Sequence, residues 1–421
     1  MSSWSVHSGL PERAEELAAG ALVWLAGAAR SDGAGLAWPS RLTDNETDPT
    51  LYSGSAGVVL TLLEAHADLD DDRYADLAVR GARHLAAVVD DDWQHSSLYH
   101  GLMGMALVLH AVHDRLGDRA SADARGRALQ KVRHRFDGVR WGPQFELLGG
   151  NAGVALGALA IGDPDLALLA VEPYVGTADP TPHGVNWVTR TGRSARQHHI
   201  THGTLGVVAA LAAVGQETDR QDLVDLALAG VADVVARDED GPAGFLVPHS
   251  DPPDRPELIQ RYNFGWCQGP TGDAQVFRLL HDVLGEPHWS TLSDRCWHTV
   301  THCGLPRRRW PGFWDNHGHC CGTAGVLALA IDRAVERDDG HDLAQVLVAD
   351  LSEHATVDRD GTRWSNVEHR ATPSVLEART GWAHGAAGIL RELLRFARLG
   401  TGRDPAYAVA WPDQPPTRSA P

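Results

Sequence analysis

Three of the five cysteines in this 421-residue chain stand at matched places before two glycine turns. Cys267 lies two places before Gly269 and Cys320 two places before Gly322, with Cys321 adding a third sulfur beside it. If the two turns are equivalent in the fold, the three sulfurs face one another. Thiolates are zinc ligands. Three of them leave one of zinc's four tetrahedral places to a group from outside the chain, which is the pattern of a catalytic site. The same residues could instead be small apolar fillers near a packed end, or Cys320 and Cys321 could form a vicinal disulfide. Cys296 and Cys303 fall outside the turns and read as ordinary buried thiols. His317 and His319 flank the pair, and His319 is the better placed to replace one sulfur as a ligand.

These turns belong to a longer series. Gly-x-x-Gly recurs at Gly54–Gly57, Gly101–Gly104, Gly150–Gly153, Gly203–Gly206, Gly269–Gly272, Gly322–Gly325 and Gly385–Gly388. Successive first glycines are 47, 49, 53, 66, 53 and 63 residues apart, room for a helix out and a helix back each time. Runs such as Met105–Val112 and Val207–Val214 are apolar on every side, so these helices are expected to be buried all round. Tyr74–Val89 and Leu223–Val235 carry apolar residues at three- and four-residue spacing, the mark of helices with one wet face. The alternation predicts an all-α, double-layered helical barrel. A single domain over residues 1–421 is expected, with repeats from about 52 to 400 and an irregular, loosely attached tail over 401–421.

In such a barrel the first glycine allows a positive φ or a close backbone approach, and the second lets neighbouring inner helices crowd together. All seven turns open at one end, so unpaired helix N–H groups are expected to give a shared basin positive partial charge. His100 and His384, each one place before a repeat glycine, should line that basin. Pro- and Gly-containing connections at Asp163–Ser194, Ala236–Gln260 and Arg359–Thr380 read as rims or lids. Residues around Trp4 carry no clear pattern.

The composition narrows the partners. A formal net charge of −18 argues against nucleic acid, which calls for a basic footprint. No stretch is long and apolar enough to span a membrane. Met1–Pro11 lacks the basic and apolar regions of a secretory signal, so cytoplasmic residence and reduced thiols are expected. Helical barrels also carry glycoside hydrolases, but no facing pair of carboxylates stands at repeat-equivalent inner positions.

The motifs resemble the lanthionine synthetase C-like family, the zinc-dependent lanthipeptide cyclases. The most specific segments are Tyr262-Asn263-Phe264-Gly265-Trp266-Cys267-Gln268-Gly269 and Trp314 through Gly325, with its Cys320-Cys321-Gly322 core. The resemblance implies an α,α-toroid of seven inner and seven outer helices, with Zn²⁺ on Cys267, Cys320 and Cys321 in a three-cysteine variant of the site. It implies that a dehydrated precursor peptide is the substrate, made by a separate dehydratase. It matches His202 to the family histidine that handles the proton and sets Glu146 where the family has an aspartate. Glu146 could orient His202 or cap the helix start, and Asp315 could support the cysteines. Asn263 stands where the family has arginine, with Arg261 near, and Gln268 replaces the usual aromatic or histidine. Addition of glutathione to dehydrated proteins, or a zinc-containing peptide-binding scaffold, are the other readings.

Overall fold

The computed structural model describes residues 9–91 and 93–414. Trp4 and residues 415–421 lie outside them. Among the described residues are fourteen α-helices in two concentric layers. The inner layer is α2 (Ser55–Leu69), α4 (Leu102–Leu116), α6 (Asn151–Ala160), α8 (Thr204–Glu217), α10 (Pro270–Leu284), α12 (Thr323–Arg337) and α14 (Ala386–Gly400). The outer layer is α1 (Leu10–Ala28), α3 (Asp72–Asp90), α5 (Arg119–His134), α7 (Pro164–Thr177), α9 (Gln221–Val235), α11 (Pro287–His302) and α13 (His341–Glu353). The seventh outer helix, α1, comes before the first turn and packs on α14, so the two ends of the ring meet.

The layers follow from the residue pattern. Every residue of α2 from Ser55 to Ala65 is buried, whereas α3 buries only a stripe that includes Ala78, Ala82, Leu85 and Val89. Helix α7 lies inside the stretch read as a connection. Asp163 caps it, accepting the Leu166 N–H at 3.1 Å, and Pro164 opens its first turn. Pro173 within the helix hides its pattern from the sequence. The other two connections carry short strands: β2 (Ser250–Asp251) pairs with β1 (Arg196–Gln197), and β4 (Gly361–Trp364) pairs with β3 (Ala355–Asp358).

The residues two places before each first glycine close the toroid. Tyr52, Tyr99, Leu148, Thr201, Cys267 and Cys320 each donate a backbone N–H to the carbonyl of the next member. Ala383 donates back to Tyr52 at 2.9 Å, completing seven bonds of 2.8–3.4 Å. Layers follow from this ring. Side chains one place nearer the glycine face the mouth. Those one place earlier (Leu51, Leu98, Leu147, Ile200, Trp266, His319, Trp382) are buried beneath it as a floor.

The glycines serve close approach rather than positive φ, since Gly269 has φ −162°. A Cβ at Gly269 would strike the Asn263 carbonyl, and one at Gly272 would strike the Trp266 carbonyl and Ile200 of the neighbouring repeat. The expected free helix amides are not free. Leu102 donates to His95 O, Leu205 to His198 O, Ala324 to His317 O and Ala386 to Arg379 O, at 2.9–3.1 Å, seven residues back each time. The chain leading into these helices thus caps them, and the basin owes its character to side chains.

The tail, though irregular, is firmly held through Gln414. Trp411 is buried, stacked on Trp382 with ring centroids 4.4 Å apart, and its Nε1–H donates to Tyr99 Oη at 2.7 Å. Arg395 donates to Pro405 O at 2.8 Å, and Ala408 N–H to buried Glu64 at 2.9 Å. The segment fills the toroid's axis beneath the floor because α14 presents buried Arg391 and Arg395, which need partners.

Candidate metal centre

Cys267 and Cys320 are adjacent members of the closing ring, so the ring bond Cys267 N–H to Cys320 O, 3.0 Å, sets their side chains together. Two copies of Asn-x-Gly-x-Cys-x-Gly build this local shape. The Asn263 side chain accepts from Gly265 N–H at 2.8 Å and Asn316 from Gly318 N–H at 2.7 Å, fixing tight Asx turns before each cysteine. Gly265 lies against Cys321, where a Cβ would sit 3.1 Å from its Cα.

Cys321 Sγ is 3.1 Å from Cys267 Sγ and 3.5 Å from Cys320 Sγ, and all three sulfurs lie within 4.8 Å of one another. All are free thiols, which removes the vicinal disulfide. Hydrogen bonds from Cys267 and Cys320 hold the Cys321 thiol well below its ordinary range.

A relay of donors ends on this cluster. Asn316 Nδ2 donates to His384 Nδ1 at 2.8 Å, which leaves the His384 proton on Nε2. That nitrogen donates to Tyr52 Oη at 3.1 Å, and the Tyr52 hydroxyl in turn donates to Cys320 Sγ at 3.1 Å. Every member of the chain is directed so that its last proton, that of the Tyr52 hydroxyl, is given to Cys320. Three converging thiols with a donor aimed at one of them fit zinc.

On the far side of the mouth His202 Nδ1 meets two groups. Arg190 donates to it at 2.8 Å, and Glu146 Oε2 stands 3.3 Å away. Glu146 is fully buried and also accepts the N–H groups of Leu148 at 2.7 Å and Gly149 at 3.1 Å. Glu146 therefore closes the turn before α6 and faces the histidine, while the start of α6 itself carries no side-chain cap. Burial lowers Arg190 below the usual guanidinium range, against the pull of Glu146. His202, Cys321 and His384 each stand one place before a repeat glycine, beside the closing ring, so cysteines and histidines share one basin. A cavity of about 320 Å³ runs outward from Cys321 between Tyr262, Phe264, Gln268, Phe313 and the segment Val367–Arg370.

The family model described as lanthionine synthetase C-like protein matches residues 45–328. The chain belongs to that family. No curated protein sequence matches it significantly. Among solved structures, nisin cyclase superposes with a TM-score of 0.63 at 16% identity, over 85% of this chain and 90% of that one. A GH76 α-mannanase from Bacteroides thetaiotaomicron superposes with a TM-score of 0.53 at 9% identity, over 92% of this chain and 96% of that one. At such identities the likeness is one of fold.

Within this lanthionine synthetase C-like chain the structure gathers Cys267, Cys320, Cys321, His202, Glu146, His100 and His384 around the mouth, and it separates others. His319 belongs to the floor, its Nε2 3.1 Å from Gln414, so it is no ligand for the sulfurs. His317 points outward to Asp350. Asp315 binds Arg308, Gly312 N–H and His369, and none of the cysteines. Arg261 pairs with Glu239 at the surface and does not replace the arginine absent at Asn263. Two residues of the site, Tyr52 and Arg190, escape the sequence reading. Tyr52 shares the repeat position of Cys267 and Cys320 and is legible from that alone. Arg190 reaches the mouth from the strap before α8, through the bridge of its backbone with Gln144, and nothing in the repeat announces it.

Proposed function

We propose that this protein is a zinc-dependent lanthipeptide cyclase. It would add the thiol of a peptide cysteine across the double bond of a dehydroalanine or dehydrobutyrine residue in the same dehydrated precursor. The new bond joins cysteine Sγ to the acceptor Cβ, and a proton ends on the acceptor Cα, giving lanthionine or methyllanthionine. The observation that carries the reading is the cluster of three free thiols facing His202 across one basin. The family, and the name of the nisin cyclase with the same fold, agree with it.

Cys267, Cys320 and Cys321 would hold the metal. Zinc bound there supplies positive charge that lowers the pKa of an incoming thiol, which is mostly protonated at neutral pH when free. The other steps belong to the chain. Tyr52 keeps Cys320 in its acceptor state, and the aromatic walls of the cavity, Tyr262, Phe264 and Phe313, seat the apolar part of the peptide. His202 moves the proton, because its ring has a partner at Nδ1 in either charge state. A neutral ring accepts from Arg190, while an imidazolium donates to Glu146. With Nδ1 so engaged, Nε2 is the nitrogen that would give the proton to Cα. The dehydrated residues would come from a separate dehydratase.

Two measurements on one preparation test the proposal. Metal analysis should find about one zinc in the thiol site, lost in Cys267→Ala, Cys320→Ala and Cys321→Ala. Incubation with a dehydrated, cysteine-containing peptide should leave its mass unchanged and remove its reaction with a thiol-alkylating reagent. Zinc with no loss of thiol, but with adducts when glutathione is added, would move the activity to an external thiol. No zinc and no reaction would end the proposal.

A further inference from the structure

Outside the thiol site, one more cluster among the described residues has the chemistry of a metal site. His317 and His354 flank the carboxylate of Asp350, and one ligand atom from each lies within 4.8 Å of the others. His317 Nδ1 is 3.8 Å from Asp350 Oδ2, and His354 Nδ1 is 3.4 Å from Asp350 Oδ1. The two imidazoles stack with centroids 4.8 Å apart.

Hydrogen bonding accounts for one ring and not the other: His354 Nδ1 donates to the Asp350 backbone carbonyl at 2.9 Å, a bond it would give up to bind a cation through that nitrogen. His317 Nδ1 is buried and has no hydrogen-bond partner, although a carboxylate stands before it. An orphaned ring nitrogen beside an acceptor costs desolvation without return. Two ligands at about 2.1 Å from a shared cation lie roughly 3.0–3.4 Å from each other at tetrahedral or octahedral angles, so only small movements would close the site. The supporting contacts resemble those that orient metal ligands. Thr323 Oγ1 donates to Asp350 Oδ2 at 3.1 Å, and the backbone of His317 is held by Asn366 Oδ1 at 2.9 Å. His354 is half open to solvent and gives an entry path.

We propose that His317, Asp350 and His354 form a second metal site, for a divalent transition cation such as Zn²⁺. Two imidazoles and one carboxylate suit zinc, cobalt and nickel and are poor for magnesium or calcium. The site ties the C-terminal end of α13 to the segment three residues before Cys320, clamping from outside the turn that carries two of the three thiols. It stands independently of the cyclase reading, since none of its ligands is a cysteine.

Cobalt distinguishes the two centres, because thiolate-bound Co²⁺ gives a near-ultraviolet charge-transfer band and a nitrogen–oxygen site does not. Metal-free protein titrated with Co²⁺ should take up one equivalent with that band and one without it. His354→Ala, at the open edge where folding is least at risk, should weaken the band-free equivalent tenfold or more and leave the band intact. Asp350→Asn should do the same. Cys321→Ala should remove the band and spare the other equivalent. If wild type takes up no band-free equivalent, or if it survives His354→Ala unchanged, the second site is refuted. A band-free equivalent that depends on His354 in a protein lacking the thiolate band would uphold this site while sinking the zinc–thiolate one.

Discussion

The hydroxyl of Tyr52 is a single group on which the directionality of the thiol cluster depends. It is the last donor of the chain from Asn316 through His384, and its acceptor is Cys320 Sγ. Tyr52→Phe keeps the ring, with its edge contacts to Tyr99 and His384, and deletes only that donor. Loss of such a supporting bond typically weakens a metal site 10–100-fold. Competition with a chromophoric zinc chelator should show that weakening with an unchanged unfolding midpoint. Equal affinity would mean the relay is incidental. The histidine across the basin supports a second prediction. Arg190 and Glu146 both meet its Nδ1. If His202 gives the proton to Cα, His202→Ala should lower kcat by about 10²–10⁴-fold. Glu146→Gln and Arg190→Ala keep the ring and each remove one partner, so each should lower kcat by less than His202→Ala does. An unchanged kcat in Arg190→Ala would assign Arg190 to structure alone.

The Gly-x-x-Gly turn is the element that brings those residues together, and in six of the seven copies its second glycine is under the tighter constraint. A Cβ at Gly272 meets the Trp266 carbonyl, which is backbone and cannot swing aside, and also Ile200. Gly272→Ala should therefore cost about 1–3 kcal/mol or more, as overpacking does. Gly126, on the exposed face of α5, has nothing within 4 Å of an added methyl. Gly126→Ala should instead stabilise by about 0.4–1 kcal/mol by restricting the unfolded chain. Urea midpoints of opposite sign check the pair. The repeat makes the layers and the thiol cluster legible in the sequence, because equal offsets from a glycine become equal places on a ring. Direction is harder to see. His319 and Cys320 are neighbours in sequence, yet the turn they share sends one into the floor and the other into the site. Arg190 and the Asp350 partnership come from outside the repeat, and helix α7 is masked by Pro173. Contacts set by the path of a connection leave no periodic trace.

The closed ring leaves an axial hole, and the tail fills it, so stability of the whole depends on a short irregular segment. Trp411 stacks on Trp382, and Asp413 Oδ2 accepts from the Tyr99 hydroxyl at 2.8 Å. The other carboxyl oxygen of Asp413 is buried without a partner. Burial pushes the Asp413 carboxyl up to about 7, a rise that Tyr99 and the more distant charge of Arg391 only moderate. A carboxyl raised in the folded state favours folding only while it is protonated. Its contribution is complete below the unfolded value near 3.9 and is lost as pH climbs through about 7. Asp413→Asn keeps an acceptor for Tyr99 and cannot ionise. Relative to that variant, wild type should lose stability steadily between pH 4 and 7 and then run parallel to it. At about 1.4 kcal/mol per unit the gap amounts to a few kcal/mol at most. Urea midpoints of both proteins from pH 4 to 8 measure the difference directly, because every other titrating group is shared. Parallel curves throughout would show that the tail leaves the axis or that water reaches Asp413. A gap that opens over this window would establish the axial plug as part of the folded core, and with it the floor on which Trp266 and the neighbouring Cys267 are set.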